Sequence, residues 1–148
     1  MQDNRVARRY AQALYETAVK YGTVGSIEDD LTALGNLLEQ DKGFRHFFLA
    51  PSTSRAEKLK IVEKLFSDRV TAITMQLIRV MLEKGRETEV EGVRSEFSRL
   101  RRDAEGIVFA TVTSAVALTD KQRSSLLSKL EATQGKKFEA QFEVDPHV

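Results

Sequence analysis

The 148 residues suffice for one good hydrophobic core, or for one domain and part of another, and their 41% apolar and 30% charged content is that of an ordinary folded chain. A net charge of +1 gives no electrostatic argument for nucleic acid, and the lack of cysteine excludes disulfides, thiolate nucleophiles and cysteine zinc sites. His46 and His147 lack metal-ligand spacing, and no apolar run is long enough to span a membrane or form the core of a signal peptide.

From the N-terminus, residues 6–21 read as an amphipathic helix. Val6, Ala7, Tyr10, Ala11, Leu14, Thr17, Ala18 and Tyr21 share one side, with Arg8, Arg9, Gln12, Glu16 and Lys20 opposite. Arg5, Arg8 and Arg9 beside alanines also resemble a transit peptide, but the same segment serves as the first helix of a fold, which is the preferred reading. Ala13 lies at the edge of the apolar face near Tyr10, where a small residue beside an aromatic makes the wall of a shallow groove. Gly22 and Gly25 are expected to end this helix and Ser26 to start the next, whose stripe is Ile27, Leu31, Leu34 and Leu38.

Phe44-Arg45-His46-Phe47-Phe48-Leu49 reads as a short apolar turn or helix stopped by Pro51, with His46 packed or at the surface. Ser54-Arg55-Ala56-Glu57 has the capping-box pattern and opens a helix buried through Leu59, Val62, Leu65 and Phe66. Asp68 is expected to cap the helix of residues 70–84. The apolar side chains of that helix cover an arc of roughly 220°, more than one neighbour can bury. It is therefore read as a central helix, with one shoulder (Ile73, Gln76, Leu77 and Val80) available to a helix of another protein. Gly85 closes it, and residues 87–105 form an outer helix with the narrow stripe Val90, Val93, Phe97, Leu100 and Ala104. Together these segments predict a six-helix bundle over residues 3–105.

After Gly106 the pattern changes. Residues 107–118 are rich in β-branched side chains and read as a strand, Thr119 and Gln122 as a capping box, residues 120–134 as a helix buried through Leu126, Leu127 and Leu130, and residues 138–144 as a second strand with one wet face. Strand, helix and strand in that order suggest a small α/β domain with a crossover. A two-stranded sheet is marginal alone, so a further strand is expected where the chain stops at Asp145-Pro146-His147-Val148. The fold class is thus mainly α: a bundle at 1–105 and a partial α/β domain at 106–148.

Catalytic constellations are missing from the sequence. There is no phosphate-binding glycine loop, nucleophile elbow or metal cluster, and no catalytic, cofactor or metal residue is assigned. The alternative considered is a helical nucleic-acid or transcription-factor module using Arg99, Arg101 and Arg102, but Glu96, Asp103 and Glu105 are interleaved with these and favour a solvated face.

Four stretches carry a family resemblance: Val6-Ala7-Arg8-Arg9-Tyr10-Ala11-Gln12-Ala13-Leu14; Phe48-Leu49-Ala50-Pro51 followed by Lys58; Leu77-Ile78-Arg79-Val80-Met81-Leu82-Glu83-Lys84-Gly85-Arg86; and Phe142-Glu143-Val144-Asp145-Pro146. The chain resembles the delta subunit of F-type ATP synthase, the oligomycin-sensitivity-conferring protein family. The resemblance implies a non-catalytic stator protein without cofactor. Its six-helix domain would take the N-terminal helix of an alpha subunit between its first and fifth helices, and its C-terminal domain would meet the b subunits of the peripheral stalk. It further implies one copy per complex, a monomer in isolation, and a peripheral place on the cytoplasmic face of a bacterial inner membrane. The family continues with a Gly-Gly strand, a hairpin and a terminal helix, which this sequence lacks. Carried onto this chain, the groove falls on Tyr10, Ala13 and Leu14 of the first helix and Ile73, Gln76, Leu77 and Val80 of the fifth.

Overall fold

Helical periodicity in the first hundred residues becomes six α-helices, and the β-branched tail becomes a small sheet with one crossover helix. The computed structural model describes residues 4–148; the first residues of the expected bundle, up to residue 3, lie outside them. In chain order the elements are α1 (Arg5–Tyr21), α2 (Val24–Gln40), α3 (Lys42–Leu49), α4 (Arg55–Phe66), α5 (Ala72–Glu83), a 3₁₀ turn (Glu87–Glu89), α6 (Val90–Glu105), β1 (Ile107–Ser114), α7 (Asp120–Gln134) and β2 (Lys137–Val144). The chain divides into two compact units, one ending at Leu100 and the other Arg101–Val148, so the division falls inside α6 and ahead of the Glu105-Gly106 step.

In the first unit α5 lies against α1, α2 and α4. It buries Thr74, Met75, Ile78, Met81 and Leu82, and around them gather Ala7, Ala11, Leu14 and Ala18 of α1, Ile27, Leu31, Leu34 and Leu38 of α2, Phe48, Val62, Val90, Val93 and Phe97. Small residues permit the closest approaches. A Cβ placed on Gly92 of α6 would lie 2.9 Å from the Ala7 Cβ, so α1 and α6 meet there almost backbone to backbone. Tyr15 and Phe97 continue that contact edge to face, ring centroids 5.6 Å apart.

Both ends of α5 are held by polar groups from other helices. At its start Thr71 is the capping residue, its hydroxyl accepting from the Thr74 N–H, and the Asp30 carboxylate of α2 accepts from both the Thr71 N–H (2.9 Å) and the Thr74 hydroxyl (2.7 Å). Asp68 does not cap it; of two suitable capping residues, the one that Asp30 also grips is used. At its end Arg55 donates to the Glu83 carbonyl at 2.7 Å, satisfying an otherwise orphaned acceptor. Gly85 adopts a left-handed φ of 65°, which reverses the chain. Beneath this corner Lys58, 1% exposed, donates to Glu87 at 2.9 Å, while the second carboxylate oxygen of Glu87 is buried without a partner among the described residues.

Several local expectations shift. α2 begins at Val24, with Thr23 at its cap position, so Gly25 and Ser26 lie within its first turn; burial of Ile27 and Leu31 outweighs the helix cost of one glycine. On α4 Leu65 is exposed, and Lys58 takes a core place through its ion pair. Ala104 at the end of α6 is exposed.

In the second unit β1 and β2 run parallel in register, Ile107 opposite Lys137 through Ser114 opposite Val144. β1 therefore ends where its partner ends, and Val116, expected within the strand, is exposed. α7 carries the full capping box of Thr119 and Gln122, and Leu126, Leu127 and Leu130 are half-buried. No residue from 101 to 148 is fully buried. The aromatic faces are covered instead by guanidinium groups, Arg102 over Phe109 and Arg123 over Phe142.

Lys58 and Glu87 give an asymmetric prediction. Glu87→Leu strands a charge that cannot reach water and should lower the unfolding free energy by about 3 kcal/mol or more in urea denaturation, whereas Lys58→Met leaves a carboxylate nearer the surface and should cost less. In the double variant the penalty of Glu87→Leu should be largely recovered.

Candidate functional site

α1 and α5 lie side by side without closing on each other along their outer edges. Between them runs an open cavity of about 470 Å³, lined by Tyr10, Ala13, Leu14 and Thr17 of α1 and Ala72, Ile73, Gln76, Leu77 and Val80 of α5. All seven residues expected from the sequence are brought together here. Thr17 and Ala72 are additional. Thr17 belongs to the apolar side of the first helical wheel and Ala72 stands one turn before Gln76, so a groove drawn along the full length of both helices would have included them.

The groove has a floor, walls and lips. Leu14 is buried and forms the floor with the half-buried Ile73, Leu77 and Val80, whose other neighbours on α5 are locked in the core. Tyr10 is half-buried, while Ala13, Ala72 and Gln76 stand exposed at the edges. The Thr17 hydroxyl donates to the Ala13 carbonyl at 2.9 Å, which leaves its methyl group to the groove. The lining contains no charged side chain. Its polar features are the Tyr10 hydroxyl and the Gln76 amide.

Along α1 the groove residues span positions 10–17, about 10 Å, and along α5 positions 72–80, about 12 Å. Such a trough presents apolar residues at helical spacing on two sides and fits an amphipathic helix read through anchors at i, i+3 or i+4, and i+7. Its lining holds no carboxylate, imidazole, amine or thiol. A second cleft of about 430 Å³ beside α3 has a mixed lining, with Lys42, Arg45 and His46 next to Leu49, Ala50 and Pro51, and its Arg45 is paired with Glu91.

The arginines considered for nucleic acid are engaged with carboxylates. Arg99 pairs with Glu96 at 2.9 Å, Arg101 with Glu105 at 3.0 Å and Glu139 at 2.5 Å, and Arg102 with Glu139 at 3.7 Å. Such a surface is laced by its own ion pairs and offers little net positive field to phosphates.

A family model described as the ATP synthase delta (OSCP) subunit matches residues 6–148. The chain belongs to this family. It is 34% identical over 143 residues to the ATP synthase subunit delta of Desulforamulus reducens, covering 97% of this chain and 79% of that one. It is 35% identical over 138 residues to the ATP synthase subunit delta of Salinibacter ruber, covering 93% and 73%. Among solved structures, a chain in the cryo-EM structure of the Toxoplasma gondii mitochondrial ATP synthase hexamer shares the fold, with a TM-score of 0.79 at 20% identity over 94% of this chain and 78% of that one. The delta family thus accounts for the mainly helical architecture with its small parallel sheet.

The exposure pattern predicts which groove substitutions the fold tolerates. Ala13→Asp, at an exposed edge, should change unfolding free energy by no more than about 0.5 kcal/mol, and Val80→Asp by somewhat more. Ala11→Asp or Ala18→Asp, within about a turn and a half of Ala13 but fully buried, should abolish cooperative unfolding in far-UV circular dichroism.

Proposed function

We propose that this delta-family chain is a non-catalytic stator subunit that joins the top of the catalytic head to the peripheral stalk, so that the head resists rotor torque during proton-driven ATP synthesis. The apolar groove between α1 and α5 is the observation that carries this reading, because it fits an amphipathic helix and lies where the family resemblance puts the N-terminal helix of an alpha subunit. Tyr10, Ala13, Leu14, Ile73, Gln76, Leu77 and Val80 make the contact. The six-helix domain is the head-binding part, and the strand-helix-strand part beyond it meets the b subunits. The protein works as one copy per complex and holds its place at the cytoplasmic face of the bacterial inner membrane through the complex. In keeping with that, no helix among the described residues is long and apolar enough to cross a membrane.

Mechanically, the joint must stay closed under load, which requires slow dissociation. Apolar anchors entering a groove whose floor is already packed meet that need with little ordering on binding. Their attraction hardly depends on ionic strength, unlike that of exposed ion pairs.

Calorimetric titration with a peptide of the alpha subunit's N-terminal helix tests the proposal. One-to-one binding with a negative heat-capacity change and affinity nearly equal at low and high salt is expected. Ala13→Asp and Val80→Asp, which put a carboxylate against the bound apolar face, should each weaken binding about a hundredfold while the protein stays folded. Normal binding by both variants, or none by the folded parent chain, would overturn the assignment.

A further inference from the structure

Positions 9, 13, 16 and 20 of α1 follow one another at i, i+4, i+7 and i+11 and so form a single line along the helix. Ala13 on this line is a wall of the groove, and all four residues are exposed, which makes the line the outer lip of the α1 side. Abreast of the groove it carries Arg9 at one end and Glu16 at the other. Neither has an ion pair or side-chain hydrogen bond among the described residues. Lys20 lies past the groove, its ammonium 5.6 Å from the centroid of the Tyr21 ring.

The opposite lip is different. On α5 the corresponding line is Ala72, Gln76, Arg79 and Glu83. Arg79 donates to Glu63 at 2.7 Å and is neutralised, and Glu83 stands beyond Val80, the last groove residue. Among the described residues, one lip is therefore without unpaired charge abreast of the groove, and the other carries an unpaired cation and an unpaired anion about 10 Å apart, two helical turns.

Resting on the reading of the groove as a helix-binding site, we infer that Arg9 and Glu16 set the direction in which the bound helix lies. A helix seated between α1 and α5 has the same rise per residue as α1, so its flank meets the two charges with residues about seven positions apart. The partner is an amphipathic helix with a carboxylate that falls beside Arg9 and a lysine or arginine that falls beside Glu16. Laid the other way, it buries the same apolar stripe, but its charged flank then faces the α5 lip, where Arg79 is already paired with Glu63, and both charge pairs are lost.

Two synthetic amphipathic peptides with one shared apolar face test this. One carries Glu and then Lys seven positions later on its flank; the other carries Lys and then Glu. A spin label on Val19→Cys, an exposed site near the end of α1 in a chain that has no cysteine of its own, reports by paramagnetic broadening which peptide terminus lies near it. The two peptides should lie in opposite directions, each with a bias of about fivefold or more in ~0.1 M salt, and the bias should fade in ~1 M salt. In Arg9→Glu/Glu16→Arg, whose substituted residues are both exposed, each peptide should turn round. If both peptides bind but keep one direction in both proteins, or lie both ways regardless of the swap, the direction comes from the apolar contacts and the inference falls while the groove stands. If neither peptide binds the folded protein, the groove reading falls, and the inference with it.

Discussion

The bundle depends on the enclosure of α5. Met75, Ile78, Met81 and Leu82 occupy more of its circumference than any single neighbour covers, and each is worth about 1.5–3 kcal/mol when removed from water. That requirement draws α1, α2 and α4 against it. The polar contacts at its two ends add little net stability, since they replace bonds to water, but they fix its register along the bundle axis. Asp30 grips the start through Thr71 and Thr74, and Arg55 and the Lys58–Glu87 pair hold the corner at the end. A helix clamped in this way cannot turn to hide its remaining apolar side chains. Ile73, Leu77 and Val80 stay half-buried, and the groove is the consequence.

On the proposed reading the groove is a load-bearing joint, and the same clamping suits it to that role. A trough whose floor moved would have to be ordered each time a partner bound, and that ordering would come out of the affinity. Here Leu14 sits between Ala11 and Ala18, which are themselves buried, and the groove residues of α5 share a helix with five buried neighbours. The shape is set before binding. The edges, by contrast, are small or flexible at Ala13, Ala72 and Gln76, so a helix can approach closely without displacing bulky side chains.

What could be read from the sequence followed from local periodicity. The wheels of α1 and α5 each leave a shoulder over once the obvious core positions are used, and those shoulders form the two walls of the groove. What could not be read depends on partners distant in sequence. Whether Asp68 or Thr71 starts α5 is decided by Asp30, some forty positions earlier; whether Lys58 is buried is decided by Glu87; and where β1 stops is decided by the length of β2. The start of α2 is a related case: glycine and serine favour a break locally, but Ile27 and Leu31 are needed in the core, and packing overrides propensity.

The placing of charge around the groove follows from desolvation. A charge on the floor would lose its water beneath the bound helix and would oppose binding unless it met a well-placed partner. At the lip Arg9 and Glu16 keep most of their hydration, so a pair formed there is worth only about 0.2–1 kcal/mol. That is far too little to hold two subunits together under torque. The two directions of a bound helix, however, bury nearly the same apolar surface, and the large hydrophobic contribution cancels from the difference between them. What remains is two small lip interactions, made when the charged flank of the helix faces α1 and lost when it faces α5. Affinity and orientation can therefore be set by different residues of one groove, the first by Leu14, Ile73, Leu77 and Val80 and the second by the charged edge of α1.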